Sequence, residues 1–351
     1  MAWSFLRGNG TLGKAASAAA ATIVAMLALH AAPSRASGPT HIALGEPTGV
    51  GAMRNAPAGI PRDYVVTPNG FFHPSCVQGL ESNETLRADG TIARADGSVR
   101  TVPDCRYPHY AADGTRLTGD AVPLPAARAQ SRVPEIDGWV AYASYTLPRA
   151  NAAIYIAANM SVPQAPSMQS GQTVYFFPGL EDIEHVQTIV QPVLGWNAFN
   201  DNGWTIASWN CCLTGHTWHS PPVAVDSGVT LEGRVNGSDC DGSECANWTI
   251  LTRDPAHDRD TTLNTSGYGQ VFDWVFGAVL EAYGISTCDE LPVTRTEEFT
   301  EIVVYALRSP MSTPVAQHVA WDPTILPNSP ECDYAVAPFP RANSPQVTIK
   351  Y

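Results

Sequence analysis

The chain carries little positive charge, and lysine is almost absent from it. Only two lysines, Lys14 and Lys350, occur in 351 residues, and 33 acidic residues face 20 Lys and Arg. The formal net charge at pH 7 is −13. Because an acidic surface repels phosphate groups, we expect neither nucleic acid nor an anionic membrane as a partner.

Several catalytic and metal-binding patterns are also missing. The sequence contains no G-x-S-x-G nucleophile turn and no H-E-x-x-H zinc helix. It contains no C-x-x-C pair, and His257 is the only histidine between Cys240 and Cys288. That pattern argues against a zinc site, so we predict neither a metal nor a cofactor.

The only long hydrophobic run lies at the N-terminus. Arg7 and Lys14 precede a small-apolar stretch, Ala15–Ala32, and small residues follow it. This is the pattern of a secretory signal, which we assign to residues 1–36. A membrane anchor is the alternative, but a stretch made mostly of alanine is weakly hydrophobic. We therefore expect a mature chain that begins near Ser37 and is extracellular or periplasmic.

All eight cysteines follow the predicted signal. An even number in an exported chain favours disulfide bonds over metal sites. We predict a local disulfide between Cys76 and Cys105, and the sequence leaves the pairing of the others open: Cys211, Cys212, Cys240, Cys245, Cys288 and Cys332.

The amino-acid composition of the chain changes near residue 137. Residues 37–136 are rich in Pro, Gly, Asp and Arg, which is typical of a loop-rich extension, either a surface layer or a propeptide. Within it, the turn signals around Thr91–Arg94 predict a short hairpin strand.

Residues 137–351 read as many short strands separated by turns. This pattern predicts an all-β sandwich or jelly roll. A strand is predicted at Val271–Tyr283, but its part from Val271 to Glu281 is ambiguous, because Val275, Val279 and Leu280 also fit helical spacing. Its glycines favour a strand. The other predicted strands are Trp139–Tyr145, Ala152–Val162, Gln172–Phe177, Thr188–Val193, Trp204–Trp209, Val223–Val225, Thr230–Val235, Trp248–Thr252, Glu301–Leu307 and Gln346–Tyr351.

One polar side chain interrupts the most apolar of these strands. Gln191 shares a face with Ile189 and Val193, because side chains alternate along a strand. A buried amide needs hydrogen-bond partners, so Gln191 is either a core residue or a group that orients a ligand.

Several segments in this region resemble the glutamic peptidases called eqolisins. Ile189-Val-Gln-Pro is similar to the I-L-Q-T segment that carries their catalytic glutamine. The other similar segments are Trp139, Met160–Pro163, Thr173–Asp182, Trp204–Trp209 and Val223–Leu231. The family's A-E-W-I-V-E segment, which carries the catalytic glutamate, has no equivalent string here.

The resemblance implies a concanavalin A-like jelly roll of two antiparallel sheets and a peptidase active in acid. Gln191 would bind the oxyanion, and Glu281, on the nearest apolar strand with a lone carboxylate, would be the general base. Asp273 is a second possibility for the base. A polypeptide substrate would lie in a groove lined by four tryptophans, and we expect a monomer. The tryptophans are Trp196, Trp204, Trp209 and Trp218.

Two other functions remain open. The same concave face would suit a lectin-like module that binds a glycan through tryptophans. A glycoside hydrolase would use paired carboxylates, for which Asp182 and Glu184 are the candidates. His219 and Ser220 are a further possible pair, but no acid partner lies at a fixed spacing.

Overall fold

The computed structural model describes residues 59–111, 114–117, 136–148, 151–182, 184–186, 188–308, 313–339 and 345–351. The predicted signal at residues 1–36 lies outside these ranges. All described residues belong to one unit, Pro39–Tyr351.

β-Strands dominate the described residues, with three short 3₁₀ turns at Pro74–Cys76, Leu213–Gly215 and Cys288–Glu290. In chain order the strands are β1 (Val65–Thr67), β2 (Gly70–Phe72), β3 (Val77–Gly79), β4 (Glu84–Leu86), β5 (Ile92–Arg94), β6 (Val99–Arg100), β7 (His109–Tyr110), β8 (Arg116–Leu117), β9 (Ile136–Thr146), β10 (Asn151–Ser161), β11 (Thr173–Asp182), β12 (Thr188–Trp196), β13 (Trp204–Cys211), β14 (Thr217–His219), β15 (Val223–Val225), β16 (Thr230–Asp241), β17 (Glu244–Asp254), β18 (Arg259–Ser266), β19 (Trp274–Ile285), β20 (Thr296–Arg308), β21 (Val315–Ala316), β22 (Asp322–Ile325), β23 (Ala335–Phe339) and β24 (Gln346–Lys350).

Two large sheets form a sandwich, as predicted. The eleven-stranded sheet has the order β23-β24-β20-β10-β16-β17-β18-β4-β5-β6, with β21 beside β20. The nine-stranded sheet has the order β22-β9-β19-β11-β12-β13-β14-β3, with β15 beside β13. Side chains such as Phe176, Leu194 and Ile250 fill the core between the two sheets. The all-β, jelly-roll-like fold is therefore confirmed.

The two sheets differ in how they meet solvent. Burial alternates along β10, β16 and β20, as expected when one face of a sheet packs on the core and the other is exposed. In contrast, every residue of β11, β12 and β13 is buried. Both faces of the nine-stranded sheet are therefore covered, one by the eleven-stranded sheet and the other by a different part of the chain.

That second cover comes from the N-terminal segment, residues 59–117. Strands β1, β2, β7 and β8 form a separate four-stranded sheet. The segment also joins both large sheets, because β3 pairs in parallel with β14 and β4 pairs in parallel with β18. The predicted hairpin strand at Thr91–Arg94 is confirmed as β5. The remaining strands of this segment were not predicted, since pieces of two or three residues carry no readable period.

The ambiguous stretch is a strand from Trp274 onward, not a helix. β19 pairs with β11 on one side and β9 on the other, in the middle of the nine-stranded sheet. No α-helix occurs in the described parts of the chain, so none there is long and apolar enough to cross a membrane.

All eight cysteines form disulfides. The predicted Cys76–Cys105 bond is confirmed. The others join Cys211 to Cys212, Cys240 to Cys245 and Cys288 to Cys332, and no cysteine is free. Four disulfides are typical of proteins that mature in an oxidising compartment.

A buried carboxyl on β20 should make stability depend on pH. Glu297 is fully buried, its Oε1 accepts the backbone N–H of Ser161 at 2.8 Å, and burial raises its pKa to about 8. The folded state therefore holds a proton that the unfolded state releases, so this stabilisation is lost as pH rises from 4.5 through about 8. We expect the melting temperature to fall between about pH 6.5 and about pH 8, and to fall less in Glu297→Gln.

The exposed neighbour provides the control for this measurement. Glu298→Gln should change this pH dependence little, because Glu298 points to solvent on the same strand and its charge contributes less to the Glu297 pKa than burial and the Ser161 hydrogen bonds do. If the melting temperature fell equally with pH in the wild type, Glu297→Gln and Glu298→Gln, the role assigned to Glu297 would be contradicted.

Candidate active site

Gln191 lies on the covered face of the nine-stranded sheet. Ile189 and Val193, which share its face, pack against the N-terminal segment and not in the core between the large sheets. Gln191 is completely buried, and its Oε1 has no hydrogen-bond partner among the described residues. Its Nε2 lies 3.5 Å from the carbonyl oxygen of Pro68. The side-chain amide therefore faces a peptide carbonyl, at a distance longer than the usual N–H···O bond of about 2.9 Å.

Glu281 lies on the same covered face. It is 2% exposed, and its Oε1 accepts the hydroxyl of Tyr283 at 2.5 Å, whereas its Oε2 has no partner among the described residues. Burial raises the pKa of Glu281 well above its ordinary value, against the opposite effect of the Tyr283 hydrogen bond.

The strand register does not bring Gln191 and Glu281 together. Glu281 lies opposite Tyr175 on β11, and Tyr175 lies opposite Gly195 on β12, four residues from Gln191. Four residues correspond to about 13 Å along a strand, and two interstrand spacings add about 10 Å across the sheet. The two predicted catalytic residues share a face without being neighbours.

A different glutamate lies next to Gln191. Glu181 on β11 is opposite Ile189 on β12, which makes it the diagonal neighbour of Gln191 on the same face. It is 1% exposed, and neither carboxylate oxygen has a hydrogen-bond partner among the described residues. Burial raises the pKa of Glu181 well above its ordinary value, and the charges of Asp182 and Asp273 add to this effect.

Glu181 was not among the predicted site residues, although a signal for it exists. Residues 175, 177, 179 and 181 alternate onto one face of β11, and Tyr175 and Phe177 are packed on the covered face. Gly179 lies level with Gln191, since a Cβ on Gly179 would be 3.4 Å from Cγ of Gln191. Gly179 itself places no side chain beside the amide of Gln191.

Only one of the four tryptophans predicted to line the groove lies on this face. Trp209 is directly opposite Gln191 on β13 and packs in the same cluster as Ile189. Trp196, Trp204 and Trp218 are buried in the core between the two large sheets. The reason is strand parity: Trp196 lies five residues from Gln191 and Trp204 five residues from Trp209, and an odd separation places side chains on opposite faces.

His219 also belongs to the covered face. It lies opposite Trp209, with their ring centroids 5.0 Å apart, and its Nδ1 is 2.8 Å from the carbonyl oxygen of Ser220. Burial lowers the pKa of His219 to about 4, so the ring is neutral near neutral pH. Ser220 instead accepts hydrogen bonds from the backbone N–H of Ser208 and the hydroxyl of Thr261. The two residues do not form a nucleophile–base pair.

The carboxylates considered for glycoside hydrolysis are not a facing pair. Asp182 is completely buried and accepts the backbone N–H groups of Glu184, His185 and Val271 at 2.7–3.1 Å. This carboxylate organises the loop after β11. Glu184 is exposed. Within the described ranges, no group of three or more His, Cys, Asp or Glu is placed to hold a metal ion.

The hairpin β1–β2 covers this face directly. Its turn, Thr67-Pro68-Asn69-Gly70, has the Pro and Gly positions of a type I turn, and the hydroxyl of Thr67 donates to the carbonyl of Gly70 at 2.9 Å. The tip carries the Pro68 carbonyl that faces Gln191. Farther along, the Tyr175 hydroxyl donates to the carbonyl of Val66 at 3.3 Å. Phe71 is fully buried and meets Tyr283 edge to face at 5.3 Å.

Comparison with known proteins adds a distant structural relationship. No protein-family profile matches the chain, and no curated protein matches it. Three solved glutamic peptidase structures are similar to it. A scytalido-glutamic peptidase with a transition state analog inhibitor has a TM-score of 0.40 and 12% identity, over 62% of this chain and 99% of that one.

The other two structures give similar values. A scytalido-glutamic peptidase with a peptide-based transition state analog has a TM-score of 0.38 and 11% identity, over 60% of this chain and 97% of that one. SCP-B, a member of the eqolisin family in complex with the tripeptide Ala-Ile-His, has a TM-score of 0.37 and 14% identity, over 61% of this chain and 98% of that one.

Loosening the hairpin turn should uncover the face. Gly70 has φ +94°, and a Cβ there would lie 2.3 Å from the carbonyl oxygen of Tyr110. We expect Gly70→Ala to open the β1–β2 hairpin and to speed amide hydrogen exchange in residues 64–72, as measured by mass spectrometry. Gly97→Ala is the matched control, because Gly97 also has a positive φ, +83°, but has nothing within 4 Å of the added Cβ. Unchanged exchange in Gly70→Ala would show that this turn does not hold the cover.

Proposed function

We propose that the chain is a secreted glutamic-type endopeptidase whose active site is the covered face of the nine-stranded sheet. The observation that carries the proposal is the Gln191 amide, which is buried, lacks a partner for its Oε1 and faces a peptide carbonyl, that of Pro68, on a face that also holds buried carboxyls. The motif resemblance around Ile189-Val-Gln-Pro supports the same reading. The substrate is a polypeptide in extended form.

The chemistry needs one carboxylate and one amide. The carboxylate removes a proton from a water molecule, whose oxygen attacks the scissile carbonyl carbon. The Gln191 side-chain N–H donates to the oxyanion that forms. When the C–N bond breaks, the carboxyl returns its proton to the leaving nitrogen, so one water is consumed and the enzyme is regenerated. Glu281 is the carboxylate predicted from the sequence.

In this form of the protein, the N-terminal segment acts as a propeptide. Its hairpin occupies the space that a substrate would take above Gln191 and Tyr175. No disulfide joins residues 59–117 to residues 136–351, since Cys76 pairs with Cys105 and the other three bonds lie after residue 136. One cut between residues 117 and 136 would therefore leave the segment attached only by non-covalent contacts.

Uncovering the face should also switch on the carboxyl chemistry. Burial raises the pKa values of Glu181 and Glu281 well above their ordinary values, which favours the protonated form while the cover is in place. When the segment leaves, water reaches the face and the pKa values move back toward the ordinary value of about 4.3. Because a carboxylate of that pKa acts as a base in acid, we expect an acidic optimum.

A single engineered cut tests the proposal. A recognition sequence for a specific protease is inserted between residues 118 and 135 of the full chain, and the purified protein is assayed before and after cleavage. We expect the cut protein, and not the uncut one, to hydrolyse an unfolded protein between about pH 3 and about pH 6.

Gln191→Leu, which keeps the side-chain volume but removes the amide, should lower kcat/KM of the cut protein by about 100-fold or more. Melting curves of the uncut variant provide the control for folding. A cut wild type that is folded, free of the N-terminal segment and inactive at every pH would overturn the proposed function.

A further inference from the structure

The covered face contains two buried glutamates, and the structure distinguishes between them. Glu181 is a diagonal neighbour of Gln191 on an adjacent strand. Diagonal pairs on one face of a sheet lie about 7–8 Å apart, which is close enough for two long side chains to hold one water between their ends. The register places Glu281 two strands away and four residues along.

The hydrogen bonds of the two glutamates also point to Glu181 as the available carboxyl. Glu281 is already engaged, because its Oε1 accepts the Tyr283 hydroxyl at 2.5 Å. Both oxygens of Glu181 lack a partner among the described residues, although the side chain is 1% exposed. A buried carboxyl without any hydrogen bond destabilises the folded state, so its presence calls for a role that the covered form does not show.

The neighbours of Glu181 at one end are less buried than Glu181 itself. Trp274 lies opposite Glu181 on β19, and the preceding residue, Asp273, is only partly buried. Burial raises the pKa of Asp273, and the charge of Asp182 adds to this. On its other side, Glu181 is preceded two residues back along its face by Gly179, which has no side chain and lies opposite Gln191. A water that enters when the cover leaves would meet both the carboxyl and the amide.

We infer that Glu181, and not Glu281, is the catalytic carboxylate that works with Gln191. This assignment rests on the proposed function. Glu181 takes the proton of the attacking water and passes it to the leaving nitrogen, while Gln191 binds the oxyanion. Glu281 then belongs to the covered form, in which it accepts the Tyr283 hydroxyl beneath the hairpin.

The two glutamates are matched controls for each other. Both are buried on one face, and Glu→Gln keeps the shape of each while removing its ionisation. In the cut protein we expect Glu181→Gln to lower kcat by about 100-fold or more with little change in KM. Glu281→Gln should keep activity within about 10-fold. Glu181→Asp, which retains the acid, should restore part of the activity and change the pH profile.

Folding is checked separately in the uncut variants. Glu181→Gln should melt no lower than the wild type near neutral pH, since it removes a buried group whose ionisation is unfavourable there. That result would exclude loss of activity through misfolding.

Two kinds of failure can be told apart. An inactive cut wild type would overturn the proposed function and this assignment with it. An active cut wild type would overturn the assignment alone if Glu181→Gln kept full activity, if Glu281→Gln lost activity instead, or if both variants lost it equally.

Discussion

The second face of the nine-stranded sheet is the feature on which the rest of the structure depends. Strands β11, β12, β13 and β19 are apolar on both sides, so a sandwich of two sheets leaves one apolar face open to water. At about 25 cal/mol per Å² of apolar surface, covering such a face is strongly favourable. The N-terminal segment supplies that cover and places Phe71, Phe72 and Val66 against it.

This cover also encloses polar groups that would otherwise be hydrated. Oε1 of Gln191, Oε2 of Glu281 and both oxygens of Glu181 lose water without gaining a partner among the described residues. Each costs about 1–3 kcal/mol. The apolar contacts of the hairpin hold the cover in place and these polar groups oppose it. No disulfide joins this cover to the sandwich.

The sequence predicted the strands better than it predicted the site. Long alternating or apolar stretches predicted the core strands. The alternation of side chains along a strand correctly predicted that Gln191 shares a face with Ile189 and Val193. The same alternation, applied across Trp196 and Trp204, would have placed them on the opposite face. The register between β11, β12 and β19 cannot be predicted from the sequence of any one strand. It depends on pairings between residues up to about a hundred positions apart. For that reason Glu281 was predicted only from its apolar strand and lone carboxylate, and the position of Glu181 diagonal to Gln191 was not predicted. The cover itself consists of strands too short to show a period.

The most direct test is the structure of the cut protein bound to a peptide analogue. In this analogue a tetrahedral carbon that bears a hydroxyl group replaces the scissile carbonyl. Such a peptide binds tightly only where the transition state is stabilised. We expect the peptide to occupy the position of Val65–Phe72. The hydroxyl oxygen on its tetrahedral carbon should accept a hydrogen bond from Nε2 of Gln191. A peptide bound elsewhere, or a hairpin still seated on the face after the cut, would contradict this expectation.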